Sequence, residues 1–165
     1  MTPQATAWEA RRVPREATNA ELLYDISKRH KLLHASASVT VIGLTETARD
    51  AEIYTLWEGE EQTATLVVSR ISHGWSASAD LIPVSKFFRG YYKDALRAAL
   101  RPVFASVMDA HELTRVNAWV PSSRARAIRG LEACGFVYEG AMRLAVRLDN
   151  KDPEDLVVLG LLKGD

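Results

Sequence analysis

Few side chains in this 165-residue sequence are arranged for chemistry, and most of the candidates have a plainer use. The single cysteine, Cys134, excludes an internal disulfide and argues against a cysteine-based metal site. It closes a helical pattern on its inner side, which reads as a small buried hydrophobe rather than a nucleophile. Of the four histidines, His30 and His34 stand at i, i+4, a spacing that can hold a metal. No carboxylate or third histidine joins them, so the pair reads as a solvated helix face and no metal is expected. Asp149, Asp152, Glu154 and Asp155 crowd one segment, as in a calcium loop. The glycine and terminal glutamate of such a loop are missing, and a polar hairpin turn is the better reading. Basic clusters at Arg11-Arg12, Lys28-Arg29-His30-Lys31 and Arg124-Ala125-Arg126 read as solvated faces.

The elements that must position any site can be read in order. Residues 1–7 are polar and suit a loose arm, followed by a short strand over Trp8–Val13. Asn19 can cap a helix over Ala20–Leu33, with Leu22, Leu23, Ile26 and Leu33 on its apolar side. Val39, Val41 and Ile42 suggest a short strand ending near Gly43. Ile53–Trp57 and Ala64–Ile71 flank Glu58-Gly59-Glu60-Glu61, a hairpin signature, and Trp75–Val84 follows the His73-Gly74 break. After Gly90 the apolar residues Ala95, Leu96, Ala99, Leu100 and Val103 share a helical face, with Pro102 expected to kink or restart that helix. Val116–Val120 is a strand. Ser122 or Ser123 caps the next helix, whose Ile128, Leu131 and Cys134 face inward, and Gly135 takes its left-handed stop. Phe136–Arg143, Ala145–Leu148 and Leu156–Leu162 complete the strands.

Length and composition bound the answer. The chain suits one domain over residues 1–165. Hydrophobic residues at 47% and charged residues at 25% are ordinary for a soluble globular protein. Twenty-one basic and 21 acidic residues give no net charge, so neither nucleic acid nor an acidic membrane is an expected partner. The N-terminus has no apolar signal core, no apolar run could span a bilayer, and one cysteine fits a reducing compartment. A cytoplasmic protein is expected.

Residues 113–143 carry the most specific pattern. Arg115-Val116-Asn117-Ala118-Trp119-Val120 leads into a helix that stops at Gly135-Phe136. Glu139-Gly140-Ala141-Met142-Arg143 follows, then Asp155 before an apolar final strand. This segment resembles the C-terminal half of the GNAT acetyltransferases, most of all the type that acetylates protein N-termini. The order of elements over residues 8–163 fits the same family. The resemblance implies an α/β fold with a mixed central sheet, helices on both faces, and two adjacent parallel strands, Trp75–Val84 and Val116–Val120, that splay apart to admit acetyl-CoA.

It also implies a donor site made by Val84, Arg89, Gly90, Tyr91, Tyr92 and Arg124. Gly90 aligns with the central glycine of the family's phosphate loop, because Asp94-Ala95-Leu96 matches the Glu-Ala-Leu after it. Arg89 keeps a cation there. Phe87 replaces a Gln or Arg, and Tyr92 stands where a small residue would let phosphate rest on the backbone. Arg124 and Ala127 replace the family's Asn and Ser; Arg124 could still grip a phosphate, and Ala127 could not. Leu131 replaces the tyrosine that often serves as general acid. For proton transfer the candidates near the splay are Asp80 and Tyr138, whose plainer readings are a polar strand edge and a sheet-packed ring.

Two functions stay open. One is an acetyl-CoA-dependent N-acetyltransferase with an altered donor site, acting on a small-molecule or peptide amine. The other is a GNAT-fold protein without catalysis that serves a protein partner or forms a homo-oligomer. In its shortened loop the chain is similar to GNAT-like proteins of short-tailed bacteriophages connected with virion assembly, which would place it in a virion. The four tryptophans and the Phe87-Phe88/Tyr91-Tyr92 cluster would suit such a contact, and a core equally.

Overall fold

A computed structural model describes residues 7–30, 49–83, 92–147 and 151–165 of the chain. The described strands are β1 (Trp8–Arg12), β2 (Glu52–Glu58), β3 (Glu61–Ser72), β4 (Ser76–Pro83), β5 (Arg115–Pro121), β6 (Val137–Val146) and β7 (Glu154–Leu162). They form one sheet in the order β1-β2-β3-β4-β5-β7-β6. Only β4 and β5 pair in parallel; every other described neighbour is antiparallel. The described helices are α1 (Ala20–His30), α2 (Tyr92–Ala110) and α3 (Ala125–Ala133). The expected mixed α/β sheet is present, and the parallel pair is the one expected from the helix between its strands.

The continuous run of buried residues in β3, Thr63–Ser69, shows that the middle of the sheet is covered on both sides. On one face Leu66 and Val68 meet Leu96, Leu100 and Phe104 of α2, with Ala77, Ala79 and Leu81 of β4. Ala127 and Leu131 of α3 join this cluster, and Phe104 and Phe136 meet edge to face at 5.1 Å. On the other face Leu23 of α1 packs on Ile53, Val67 and Ile82. Asn19 caps α1 as its sequence suggests: its side-chain Oδ1 accepts from the Leu22 N–H at 2.9 Å. The expected strand near Val39–Gly43, and Leu33, lie outside the described residues.

The far end of the sheet is tied by Glu52, whose side chain is only 11% exposed. Its carboxylate accepts from Arg12 Nη2 at 2.7 Å and from the Tyr54 hydroxyl at 3.1 Å, and meets His111 Nε2 at 3.3 Å. The cluster joins β1, β2 and the end of α2. Burial, with the adjacent Glu52 charge, pushes the Tyr54 hydroxyl up to about 12.

Three expectations need correction. Of the two outcomes expected at Pro102 the restart does not occur, because α2 runs unbroken from Tyr92 to Ala110. Pro102 is exposed, so the carbonyl left without a donor one turn earlier can turn to water. Phe136–Arg143 and Ala145–Leu148 are not two strands. One strand, β6, spans Val137–Val146 and absorbs its irregularity between Met142 and Val146, where Leu144 has φ +49°. Finally, neither Ser122 nor Ser123 caps α3; Arg124 holds the N-cap place with no side-chain bond.

The C-terminal end of α3 is as expected. Gly135 has φ +101°, the Phe136 N–H reaches the Leu131 carbonyl at 3.1 Å, and Arg97 Nε donates to the Ala133 carbonyl at 2.8 Å. Substituting Gly135→Val should destabilise the fold by about 1–2 kcal/mol, because a β-branched residue resists positive φ. A urea midpoint equal to wild type would contradict this.

Candidate active site

The site follows from where β4 and β5 stop pairing. Their register is Ser76 with Arg115, Ala77 with Val116 and Ser78 with Asn117, and there it ends. Both strands continue, to Pro83 and Pro121. Beyond Ser78, the β5-facing backbone groups of β4 therefore have no ladder partner in β5. A cavity of about 360 Å³ lies at this end, lined among others by Leu81, Pro83, Ser123, Arg124, Arg126 and Arg129.

The α3 end of the cavity is cationic and carefully held. Glu154, at the start of β7, accepts from the Ser123 N–H at 2.6 Å, Ser123 Oγ at 2.9 Å and Ser122 Oγ at 3.1 Å. The serines thus donate to a carboxylate instead of capping the helix. Partial desolvation raises the Glu154 pKa, but the Ser123 and Ser122 hydrogen bonds and the Arg124 charge outweigh it and hold the group below its ordinary range. Glu154 belongs to the segment that resembled a calcium loop; its actual partners are the two serines. Arg126, read from sequence as part of a solvated face, lines the cavity together with Arg124 and Arg129.

Asp80 lies on β4, one step past the last paired residue on its face of the sheet. Its side chain is partly exposed and makes no hydrogen bond or ion pair with the described residues. Desolvation among the surrounding strands pushes its carboxyl up to about 6, and the Arg70 charge offsets only part of this. A partly buried carboxylate that lacks a donor among the described residues and titrates near neutrality is suited to taking protons.

The other sequence candidates divide. Arg124 lines the cavity, while Tyr92, the first residue of α2, is half-buried against the main core and absent from the cavity wall. Tyr138 is on β6, 57% exposed, and three strands from β4. At about 4.8 Å per strand that is roughly 14 Å, so the fold does not bring it beside Asp80. Val84, Arg89, Gly90 and Tyr91 lie outside the described residues. Ala127 and Leu131 are core, and burial pushes the Cys134 thiol up to about 12, consistent with a buried hydrophobe. Sequence reasoning missed Arg129, which lines the cavity. Arg126 and Arg129 stand at i, i+3 on one helix face, a signal that was available.

Solved structures share this arrangement of elements. The spermidine N-acetyltransferase of Vibrio cholerae, in complex with CoA and spermine, matches with a TM-score of 0.65 at 14% identity, over 94% of this chain and 95% of that one. The ribosomal-protein-S5-alanine acetyltransferase of Vibrio fischeri matches with a TM-score of 0.65 at 17% identity, over 96% and 94%. A dodecameric structure of the Vibrio cholerae enzyme gives 0.64 at 14% identity, over 94% of each chain. No protein-family model and no curated protein sequence matches. At such identities the likeness is one of fold, and the chain has the GNAT acetyltransferase fold that its C-terminal residues resemble.

The state of Asp80 has a measurable consequence. Its folded pKa, about 6, lies above the ordinary 3.8, so the folded chain holds this proton more tightly than the unfolded one. The stability it contributes is full below the ordinary value and is lost as pH rises through 6. Asp80→Asn should therefore be more stable than wild type at pH 8 by about 2–3 kcal/mol, with the difference vanishing near pH 3.5. Denaturant melts of both proteins across that range check this, and a pH-independent difference would refute it.

Proposed function

We propose that the chain is an acyl-CoA-dependent N-acetyltransferase that modifies a primary amine in the opening between β4 and β5. The observation that carries this reading is the parting of the two strands after Ser78 and Asn117, beside a cavity walled by three arginines. The donor set fits acetyl-CoA: guanidinium groups for the phosphates, and an unpaired strand edge on β4 for the amides of the pantetheine arm. Acetyl-CoA, when bound, supplies an activated acyl thioester. The residues then have two tasks. Arg124, Arg126 and Arg129 hold the anionic end. Asp80 takes the proton that the acceptor amine must lose, directly or through a water.

The proton balance also bears on the acceptor. An α-amino group, with a pKa near 7.7–8.0, lies about two units above Asp80, whereas a lysine ammonium at about 10.4 lies more than four above it. Each unit is about 1.4 kcal/mol uphill, so Asp80 suits a peptide N-terminus better than a lysine. The S5-alanine acetyltransferase that shares this fold is named for such a class of acceptor, and the spermidine enzyme for another amine. Of the two protons the ammonium gives up on becoming an amide, Asp80 takes one, and the other would pass through water to the CoA thiolate released as the C–S bond breaks.

A second reading, an interaction protein built on the same fold, is favoured by β6. This edge strand leaves Val137 at 58%, Tyr138 at 57%, Met142 at 56% and Leu144 at 69% exposed, more apolar surface than an unpaired edge usually shows. Self-association is compatible with either reading, since an acetyltransferase of the same fold is dodecameric.

Calorimetry with acetyl-CoA separates the two. Wild type should bind, and Arg124→Ala should bind about 10–100-fold more weakly, the loss of one charge-assisted contact worth roughly 1.5–3 kcal/mol. No heat of binding with wild type would sink the acetyltransferase reading and leave the interaction protein.

A further inference from the structure

The turn from β5 into α3 carries Ser122, Ser123 and Arg124, and it is fastened to the start of β7. The Ser122 N–H donates to the Asp155 carbonyl at 2.9 Å. Three further bonds end on Glu154. Its Oε2 accepts from the Ser123 N–H at 2.6 Å and the Ser122 hydroxyl at 3.1 Å, and its Oε1 accepts from the Ser123 hydroxyl at 2.9 Å. The support beneath is fixed in turn. Glu154 pairs with Val146 of β6, and the Asp155 carboxylate accepts from the Leu144 N–H at 2.9 Å. Glu154 and Asp155 thus tie the turn to both strands of the β6–β7 pair.

Arg124 follows at once. It holds the N-cap place of α3 without a side-chain cap bond, its N–H donates to the Pro121 carbonyl at 2.9 Å, and it lines the cavity. Its guanidinium has no hydrogen bond or ion pair among the described residues. Yet Glu154 lies close enough to interact with it electrostatically. A carboxylate at that range is the natural partner of an arginine, and a salt bridge between them would compete with any phosphate. The serines prevent it by geometry: of about four acceptor positions on the carboxylate, three are filled from the turn. Serines that capped α3 instead would leave Glu154 open to Arg124.

We propose that Glu154, engaged by Ser122 and Ser123, is a positioning residue for the acyl donor: it fixes the β5–α3 turn and leaves the Arg124 guanidinium free for the phosphates of acetyl-CoA. The inference rests on the acetyltransferase reading. It differs in sign from a plain counter-charge. A carboxylate beside a phosphate site repels the phosphate, so Coulomb's law alone makes its neutralisation tighten binding. A carboxylate that orders the arginine does the reverse, because an unheld turn must be ordered when the ligand binds. Glutamine cannot reproduce the arrangement, since its amide nitrogen donates and cannot accept from the serines.

The test is calorimetry with acetyl-CoA on the full chain, with thermal melts of the same samples. The proteins are wild type, Glu154→Gln, Ser123→Ala, Ser123→Thr, Arg124→Ala and the double variant Glu154→Gln/Arg124→Ala. Glu154→Gln and Ser123→Ala should each bind about fivefold or more weakly, while Ser123→Thr, which keeps the hydroxyl, should retain most of the affinity. Once Arg124 is alanine, Glu154→Gln should change binding by less than about twofold, because the two residues act as one unit. A general loss of structure would lower affinity with or without Arg124. Should Glu154→Gln fail to fold, Ser123→Ala against Ser123→Thr carries the same test with the charge intact. Equal or tighter binding by Glu154→Gln, undiminished binding by Ser123→Ala, or a Glu154→Gln loss that persists in full without Arg124 overturns the positioning role and leaves the acetyltransferase reading standing. No binding by wild type overturns both.

Discussion

The parallel pairing of β4 with β5 over just three residues on each strand governs the rest of the molecule. Parallel neighbours need a connection that returns the chain to the same end of the sheet, and α2 fills that span. The return works because α2 has somewhere to lie. Ala77 and Ala79 on β4 are small, so Leu96, Leu100 and Phe104 can settle close to the sheet against Leu66, Val68 and Leu81. With β4 held by α2 on one side and β3 along its length, β5 finds its full partner in β7, paired over seven positions from Arg115–Leu162 to Pro121–Leu156. β5 is satisfied by β7 and leaves β4 after three pairs; the opening is what remains between them.

How much of this is legible in the sequence depends on whether a feature is local. Asn19 before an amphipathic run and Gly135 after one are local signals with local causes, and both do what their chemistry dictates. The parallel pair was legible because a strand–helix–strand order leaves few other arrangements. Glu154 was not legible as the partner of Ser122 and Ser123, because the carboxylate comes from a residue 31 positions further along the chain than Ser123. Serine before a helix looks like a cap until a stronger acceptor arrives from elsewhere. The fate of Pro102 turns on which side of α2 faces water, and the unity of β6 on a positive φ at Leu144, which its residue type does not announce. Trp119 reads as core in any strand pattern. Its exposure depends on which part of the sheet the helices leave uncovered.

A chain with no net charge can still be strongly polarised, and the polarity here is arranged about one opening. Arg124, Arg126 and Arg129 collect beside the start of α3, where the positive helix end adds to them. Left alone, that concentration of like charge would oppose folding. Glu154 answers it from β7, and the serine hydrogen bonds keep it ionised against partial desolvation. Among the described residues the carboxylate on the other side receives no such hydrogen bond. The Arg70 charge offsets the desolvation of Asp80 only in part, and its carboxyl is displaced toward neutrality.

That asymmetry separates the two functional readings on physical grounds. A buried carboxylate can be held by neighbouring donors, as Glu52 is by Arg12, Tyr54 and His111 in the same protein. The charged form of Asp80 instead carries a desolvation cost that the Arg70 charge offsets only in part. An interaction protein resting on β6 gives that cost no use, because β6 lies three strands away. Proton transfer from an amine gives it one: a base must be ionised at neutral pH yet close enough to its titration point to hold the proton, and it must have room for a substrate where a structural donor would otherwise sit.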